Sequence, residues 1–258
     1  MKKRAQVLSR ARLTSEEIGS MYELLRAHYD NVSRDAFDRD LAEKHWVIVL
    51  RIEETGEIVG FSTQMLFPHE GPRGRVLAVF SGDTVIDMRH WGGLELPMAL
   101  GQMVLSIERA YPEETCYWFL ICKGYKTYRY LPVYFNSFYP SYRSPAPPLE
   151  ASLMRSLAER KFGDRYDPES GVVSFGSGAP CVKTGVADVT DDLLRDPHVA
   201  FFVGANPGHA RGEELVCLAR FHTDNIRPRV AGMIRKLGPL DLEFPDLGDD
   251  VVSPGRPA

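Results

Sequence analysis

The feature that most constrains the fold is a segment in which a buried strand, a glycine turn, a helix and a second buried strand follow one another. The first strand covers residues 76–80 and leads through polar residues to a turn at Met88–Leu94. Apolar periodicity predicts a helix from Pro97 to about Ala110 and a second strand over residues 116–122. This order is typical of a βαβ unit with parallel strands. Because backbone N–H groups and the positive end of the helix then face one point, the turn is expected to seat an anion.

The residues before this unit predict two helices and a hairpin. A capping signature at Thr14–Glu17 opens the first helix, and the second begins near Ser33. Strands are expected at residues 46–51 and 58–65, with a glycine-containing turn at residues 54–57 between them. Together with the βαβ unit, these elements predict a mixed α/β sheet of about five to seven strands.

Beyond the βαβ unit, apolar patterns predict one more helix and three strands. The helix covers residues 149–161, and the strands are expected at residues 172–175, 200–203 and 214–219. The polar loop between the last two strands contains His209. Such a loop is typical either of a segment that binds a substrate or of a simple hairpin connection, and the sequence leaves both interpretations open.

A proline-rich stretch suggests how the chain is divided. Residues 144–148 read Ser-Pro-Ala-Pro-Pro, which breaks any helix. We therefore expect a first domain at residues 1–143 and a C-terminal extension, or second half-domain covering the site, at residues 149–240. The acidic, Pro- and Gly-rich residues 241–258 predict a flexible tail.

Composition excludes several classes of protein. The 258 residues contain 31 Lys and Arg against 35 Asp and Glu, a net charge of −4, so there is no basic field to hold nucleic acid. No apolar run is long enough for a signal peptide or a bilayer span, which predicts a cytoplasmic protein. The four cysteines form no CxxC pair and have no histidine at ligand spacing. Neither a metal site nor a disulfide framework is expected.

The order of elements resembles the GNAT acyltransferase superfamily. Arg89-His90-Trp91-Gly92 matches the R-x-x-G of the family's donor-binding turn, although Leu94 stands where the family has Gly or Ala. Gly60-Phe61-Ser62 is similar to a second strand that is frequent in the family. The resemblance implies an α/β fold with a mixed, mostly antiparallel sheet and a central splayed pair of parallel strands, here followed by a C-terminal α/β extension.

A second point of resemblance concerns the donor. The run Gly124–Pro132 is similar to the divergent branch that makes N-acyl amino acids or acyl-homoserine lactones. The resemblance implies an acyltransferase of the EC 2.3.1 class that uses no metal. Its donor would be acyl-CoA or the acyl-phosphopantetheine of an acyl carrier protein, and its acceptor a small amine. The oligomeric state is left open.

Acyl transfer from a thioester needs an acid for the departing thiolate and a base for the attacking amine. Tyr134 or Tyr139, in the aromatic segment after the second strand, is the candidate acid. His90 and Asp87, at the end of the first strand, are candidate bases. The alternative is that the tyrosines are amphipathic core residues and that His90 simply packs beside Trp91 at a helix start.

Two groups of residues are candidates for holding the donor. The turn before the helix would contact its phosphates, and a short basic cluster near the aromatic segment would contact either those phosphates or an acidic helix of a carrier protein. The basic cluster is equally typical of a solvated helix face. The candidate donor-binding residues are Arg89, Trp91, Gly92, Gly93, Leu94, Lys123, Lys126 and Arg129.

Two other functional classes fit the same residues. In the first, Leu94 marks a lost donor site, and the chain is a non-catalytic binding module that holds a lipid or peptide in its aromatic groove. In the second, an α/β enzyme of another family uses the Arg89–Gly93 turn for a nucleotide phosphate. Neither a P-loop nor a GxGxxG fingerprint supports the second class.

Overall fold

A computed structural model describes residues 1–247, which form one eight-stranded mixed sheet and a separate two-stranded sheet. The strand order in the large sheet is β1-β3-β4-β5-β6-β10-β8-β7, and β2 pairs with β9. The strands are β1 (Lys3–Ser9), β2 (Tyr29–Asp30), β3 (Trp46–Ile52), β4 (Ile58–Gly71), β5 (Gly74–Ile86), β6 (Cys116–Cys122), β7 (Tyr166–Asp167), β8 (Val172–Val173), β9 (Cys181–Val182) and β10 (Glu214–Arg220).

Helices cover both faces of the large sheet. The α-helices are α1 (Ser15–His28), α2 (Arg34–Ala42), α3 (Glu95–Ala110), α4 (Tyr125–Tyr128), α5 (Tyr130–Tyr134), α6 (Pro148–Phe162), α7 (Pro197–Ala205) and α8 (Pro228–Leu237). A capping box at Thr14 begins α1 and the Ser33 side chain caps α2, as the sequence predicts. None of the helices within residues 1–247 is long and apolar enough to cross a bilayer.

The alternation of side chains along the strands divides the core between the two faces. Leu77 and Val79 of β5 pack with Met103 of α3 on one face. Phe80, from the same strand, packs on the other face with Leu157 of α6. Helices α1 and α2 cover the part of that second face formed by β3 and β4. This two-sided burial explains why the central strands are almost continuously apolar.

The central βαβ unit is confirmed. Strands β5 and β6 are the parallel neighbours in the large sheet, with α3 as their crossover, and the other pairings are antiparallel. The bounds of β6 are those predicted, whereas α3 begins at Glu95 rather than at Pro97. The mixed, mostly antiparallel sheet with one parallel pair is the fold class expected from the sequence.

One predicted strand is wrong. Residues 200–203 lie in α7, which Asp196 caps through its side chain and which has Pro197 in its first turn. A short apolar run fits a buried helix as well as a buried strand, and the Asp-Pro cap decides for the helix. Strand β1, which pairs with β3 at the edge of the sheet, was not predicted.

The C-terminal part of the chain belongs to the same sheet as the N-terminal part. Strand β10 pairs with β6 from Leu215 opposite Cys122 to Arg220 opposite Tyr117. The proline-rich stretch therefore does not separate two sheets.

The beginning of the expected tail is packed rather than free. The Trp46 indole donates to the carbonyl of Glu243 at 3.0 Å, and the rings of Trp46 and Phe244 are 5.6 Å apart. This corrects the prediction of a flexible tail for residues 241–247, because Phe244 and its apolar neighbours bury against the core. Residues 248–258 of that prediction lie outside the described residues.

Candidate functional site

Strands β5 and β6 separate before β5 ends. Their pairing stops where Ser81 lies opposite Leu120, but β5 continues to Ile86. Strand β6 ends at Cys122, and α4 begins at Tyr125, so the chain turns away from the sheet. The last residues of β5 therefore pair with β4 and leave their other edge unpaired with β6, which opens a wedge between the two parallel strands.

A β-bulge lies at the point of separation. Ser62 of β4 pairs with Thr84, whereas Gln64 pairs with Ser81. Two residues of β5, Gly82–Asp83, therefore face a single residue of β4. Because a bulge bends the strand that carries the extra residue, it accounts for the departure of β5 from β6.

A chain of buried hydrogen bonds fixes this bulge. The Trp118 indole donates to the Ser81 hydroxyl at 2.7 Å, and Ser81 donates to Gln64 Oε1 at 2.7 Å. Gln64 Nε2 donates to the Ser62 hydroxyl at 2.8 Å, which lies 2.7 Å from Thr84 Oγ1. Buried polar networks of this kind hold one geometry, because each broken link leaves an unpaired group. The wedge is thus a specified feature of the fold.

The wedge contains a cavity of about 520 Å³. This volume is within the range of about 300–1,000 Å³ that is usual for small-molecule sites. Five parts of the chain form its walls. They are the α1–β2 junction (His28, Tyr29), the end of β5 (Thr84, Val85, Ile86), the turn before α3 (Trp91, Gly92, Gly93), the α4–α5 region (Gly124, Tyr125, Lys126, Thr127, Arg129, Tyr130, Val133, Tyr134), and β9 with the segment after it (Val182, Val186, Ala187, Leu193).

Trp91 joins two of these walls. Its indole donates to the carbonyl of Ile86, the last residue of β5, at 2.8 Å. Lys126 Nζ lies 3.0 Å from the centre of one of its rings, in a cation–π contact between the turn and α4. Leu94 is 48% exposed and is not among the lining residues. The cavity is therefore bordered by Trp91 and is not filled by Leu94.

The turn before α3 has free amides and a nearby carboxylate. Among residues 1–247, the amides of Gly92, Gly93 and Leu94 donate to no protein acceptor. The Glu95 carboxylate folds back against Gly93, where its Oε2 is buried without a hydrogen bond and lies 3.5 Å from Lys3 Nζ. The free amides on which the expected anion seat depends are thus present, and the protein's own carboxylate lies beside them.

The structure separates the two candidate acids. Tyr134 lines the cavity, 5.7 Å from Tyr130 between ring centres, and burial raises the pKa of its hydroxyl. Tyr139 lies elsewhere, because its backbone exchanges two hydrogen bonds of 2.8 Å with Leu218 of β10. Only Tyr134 of this pair can contact a ligand in the wedge.

The two candidate bases lie outside the cavity lining. Asp87 accepts hydrogen bonds from the backbone and guanidinium of Arg89, which hold the pKa of its carboxyl at about 2. A carboxylate with so low a pKa is a weak proton acceptor. His90 is half-buried at the turn, where its carbonyl accepts from Lys3 Nζ at 3.1 Å. Arg89 itself is paired with Asp87 and largely exposed.

The basic cluster is divided in the same way. Lys126 and Arg129 line the cavity, and Arg129 also pairs with Asp196 at 3.3 Å. Burial and the neighbouring Arg129 lower the pKa of Lys126. Lys123 lies outside the lining and forms a buried ion pair with Glu214 at 3.2 Å.

Sequence reasoning missed Asp83, the second residue of the bulge. Burial, and to a lesser extent the carboxylate of Asp40, raises the pKa of Asp83 to about 6 against the opposing charge of Lys123. Within the described residues its carboxylate has no hydrogen-bond or ion-pair partner. The next residue, Thr84, already lines the cavity. Asp83 itself is not among the lining residues, so a half-buried carboxylate of raised proton affinity lies one residue along the chain from the cavity wall.

Comparisons with known proteins give partial likenesses of structure. No protein-family model matches the sequence, and no curated protein matches it. One similar structure is a conserved protein of unknown function, a probable N-acyltransferase, from Enterococcus faecalis V583; the TM-score is 0.40 and the identity 15% over 54% of this chain and 33% of that chain.

Two further structures show the same degree of likeness. One is N-myristoyltransferase from Saccharomyces cerevisiae with bound myristoyl-CoA, with a TM-score of 0.36 and 13% identity over 48% of this chain and 30% of that chain. The other is a GNAT family N-acetyltransferase from Escherichia coli in complex with CoA, with a TM-score of 0.36 and 12% identity over 50% of this chain and 69% of that chain. The matched region spans about a third of the length of the first two proteins.

Proposed function

We propose that this chain transfers an acyl group from an acyl thioester to a small amine. The observation that carries the proposal is the cavity of about 520 Å³ at the point where two parallel strands separate. Its walls bring together free amides and a protonated phenol, and Asp83, whose carboxylate has a raised pKa, directly precedes the lining residue Thr84. These groups match the requirements of aminolysis of a thioester.

The donor is proposed to lie along the unpaired edge of β5. The phosphopantetheine arm, which acyl-CoA and acyl carrier proteins share, contains amides that can hydrogen-bond to a strand edge as an added strand does. Its phosphate end would reach the free amides of Gly92, Gly93 and Leu94 at the positive end of α3. Binding there requires the Glu95 carboxylate to move away from Gly93, and Lys3 and Lys126 provide positive charge nearby.

Asp83 is proposed to take the proton from the attacking amine. With a pKa of about 6 it is ionised at neutral pH, yet it binds a proton more readily than an ordinary aspartate with a pKa of 3.8. The amine nitrogen then forms a bond to the acyl carbon as the proton passes to Asp83, directly or through a water molecule. A backbone N–H of β5 polarises the thioester carbonyl during the attack.

Tyr134 is proposed to supply the second proton. When the C–S bond breaks, the electron pair stays on sulfur, and the phenol hydroxyl protonates the departing thiolate. Because burial raises the pKa of Tyr134, the hydroxyl is protonated at neutral pH, as an acid must be. The products are an amide and a free thiol.

Thiol release tests the proposal. The protein is incubated with acetyl-, medium-chain and long-chain acyl-CoA, and with the same acyl groups on an acyl carrier protein, in the presence of a panel of amines. The proposal predicts release of free thiol that depends on both donor and amine. Absence of release with every pair, together with no donor binding by calorimetry, would contradict it.

Replacing Tyr134 and Tyr139 separately by Phe tests the choice of acid. We expect Tyr134→Phe to lower kcat about tenfold, less than the usual 10²–10⁴ for general acids, because a thiolate is already a good leaving group. Tyr139→Phe is the matched control and should leave kcat unchanged, since Tyr139 lies beside β10 and not in the cavity. Equal kcat values for the two variants would remove Tyr134 from the mechanism.

The Glu95 carboxylate favours one alternative function. Its position against Gly93 puts negative charge where the donor phosphates would bind. Such a charge is compatible with a non-catalytic module that binds a lipid or peptide and no acyl donor. Native mass spectrometry of freshly purified protein distinguishes the two functions. Co-purifying CoA supports the enzyme, whereas a bound lipid or peptide that no thioester displaces supports the module.

A further inference from the structure

One wall of the cavity comes from a largely irregular segment, residues 181–193, which we call the strap. It begins with β9, where Val182 pairs with Tyr29 of β2, and the amide of Lys183 donates to the carbonyl of His28 at 3.0 Å. The strap ends just before α7. Four of its side chains line the cavity: Val182, Val186, Ala187 and Leu193.

The strap presents only aliphatic side chains to the cavity. Its acidic residues Asp188, Asp191 and Asp192 are exposed and are not among the lining residues. The charged side chains that do line the cavity, within residues 1–247, are Lys126 and Arg129, and both are engaged by other groups. A charged substituent placed against the strap would therefore lose its hydration without gaining a partner, which is unfavourable.

The strap wall is joined to the surroundings of Asp83 through Tyr29 and Lys123. Tyr29, its pairing partner, has Lys123 Nζ 5.4 Å from its ring centre, and Lys123 pairs with Glu214 at 3.2 Å. The carboxylates of Asp83 and Glu214, after burial, both raise the pKa of Tyr29. Since Tyr29 and the strap residues line the cavity on this side, they form the wall along which the proposed substrate reaches Asp83.

We infer that the acceptor is an amine with an uncharged, apolar body, aliphatic or aromatic, which the strap binds. The inference rests on the proposed function and adds the chemical class of the acceptor. It excludes sugar phosphates, acidic amino acids and polyamines as preferred acceptors, because the four strap residues that line the cavity are aliphatic and offer no charged partner to the body of the acceptor.

The test uses amino-acid amides, which share one nucleophile and differ in the side chain. Thiol release is measured with glycinamide, leucinamide, phenylalaninamide, glutamic acid α-amide and lysinamide at a fixed donor. We expect kcat/KM for the leucine and phenylalanine amides to exceed that for glycinamide by roughly 10- to 100-fold, the effect of burying one large apolar side chain. The glutamate and lysine derivatives should not exceed glycinamide.

Neighbouring leucines provide a matched pair of variants. Leu193 lines the cavity, whereas Leu194 is 39% exposed and does not. Leu193→Asn should lower the ratio of kcat/KM for leucinamide over glycinamide by about tenfold, and Leu194→Asn should leave it unchanged. Val186→Asn, at the same wall, should act like Leu193→Asn and replaces it if that variant does not fold by circular dichroism.

The outcomes separate this inference from the proposed function. If no amide supports thiol release from any donor, the proposed function fails and the inference falls with it. If thiol is released but kcat/KM is the same for all the amides, or is highest for a charged amide, only the inference is overturned. Equal ratios in Leu193→Asn and Leu194→Asn would also overturn it.

Discussion

The substitution Asp83→Asn is expected to lower kcat/KM for acyl transfer by a factor of roughly 10² or more, because general bases typically accelerate a reaction by 10²–10⁴. The amide keeps the size of the side chain but cannot accept the proton of the amine. The wild-type rate should fall as the pH drops below about 6, where Asp83 becomes protonated, and the residual rate of Asp83→Asn should lack this step. Steady-state kinetics across pH 5–9 provide the measurement.

The same substitution should make the protein more stable at neutral pH. The folded-state pKa of Asp83 is raised from 3.8 to about 6, so ionised Asp83 destabilises the fold above pH 6. Removing that charge should raise the free energy of unfolding at pH 7 by on the order of 1 to 3 kcal/mol. As the pH falls through 6 towards 3.8, wild-type Asp83 takes up a proton on folding, and the advantage of the variant should disappear.

A variant that is slower but more stable would mark Asp83 as a functional group held in an unfavourable environment. Asp87→Asn is the control, because Asp87 is ion-paired with Arg89 and has a pKa of about 2. It should lose stability at pH 7 and retain the pH step near 6. If Asp87→Asn abolished transfer while Asp83→Asn did not, the assignment of the base would be wrong.

The substitution Lys123→Met is expected to lower the free energy of unfolding by about 3 to 5 kcal/mol, which is the usual effect of removing one partner of a buried ion pair. The side chains of Lys123 and Glu214 are only 13% and 11% exposed, and their charged atoms are 3.2 Å apart. Without Lys123, the pKa of Glu214, which burial already raises, would rise further. Urea unfolding at pH 7 measures the loss.

The pH dependence of that loss has a defined sign. Glu214 with a raised folded-state pKa destabilises the fold only while it is ionised, so the deficit should shrink as the pH falls towards 4.5, its ordinary value. The double variant Lys123→Met with Glu214→Gln is the control and should regain most of the stability. A Lys123→Met protein of normal stability but weaker donor binding would instead support the sequence-based role of Lys123 at the donor phosphates.

The sequence predicts the frame of the site because that frame depends on local patterns. Apolar periodicity predicts strand β6 and the helix after the Met88–Leu94 turn, and tertiary contacts then reinforce both elements. The Gly92–Leu94 amides follow from the same turn. The sequence could not predict the ion pair between Lys123 and Glu214. This pair depends on the pairing of β10 with β6, and these two strands are far apart in the chain.

The sequence around Asp83 contains a signal for the bulge. A glycine inside a strand often marks a bulge, and here Gly82 is followed by Asp83, the one acidic residue between Val76 and Ile86. Tyr134 and Tyr139, in contrast, cannot be distinguished by pattern. Which of them lines the cavity depends on where the chain leaves α5 and meets Leu218, and only the tertiary path shows this.

The central claim, that the wedge between β5 and β6 holds an acyl thioester, is tested most directly by a crystal structure with a non-transferable acyl-CoA thioether. The account predicts the sulfur between the end of β5 and Tyr134, the linker hydrogen-bonded to residues 82–86, and a phosphate on the amides of Gly92–Leu94 with Glu95 moved aside. A thioether bound elsewhere on the protein, or strands that pair to their ends with no ligand between them, would contradict it.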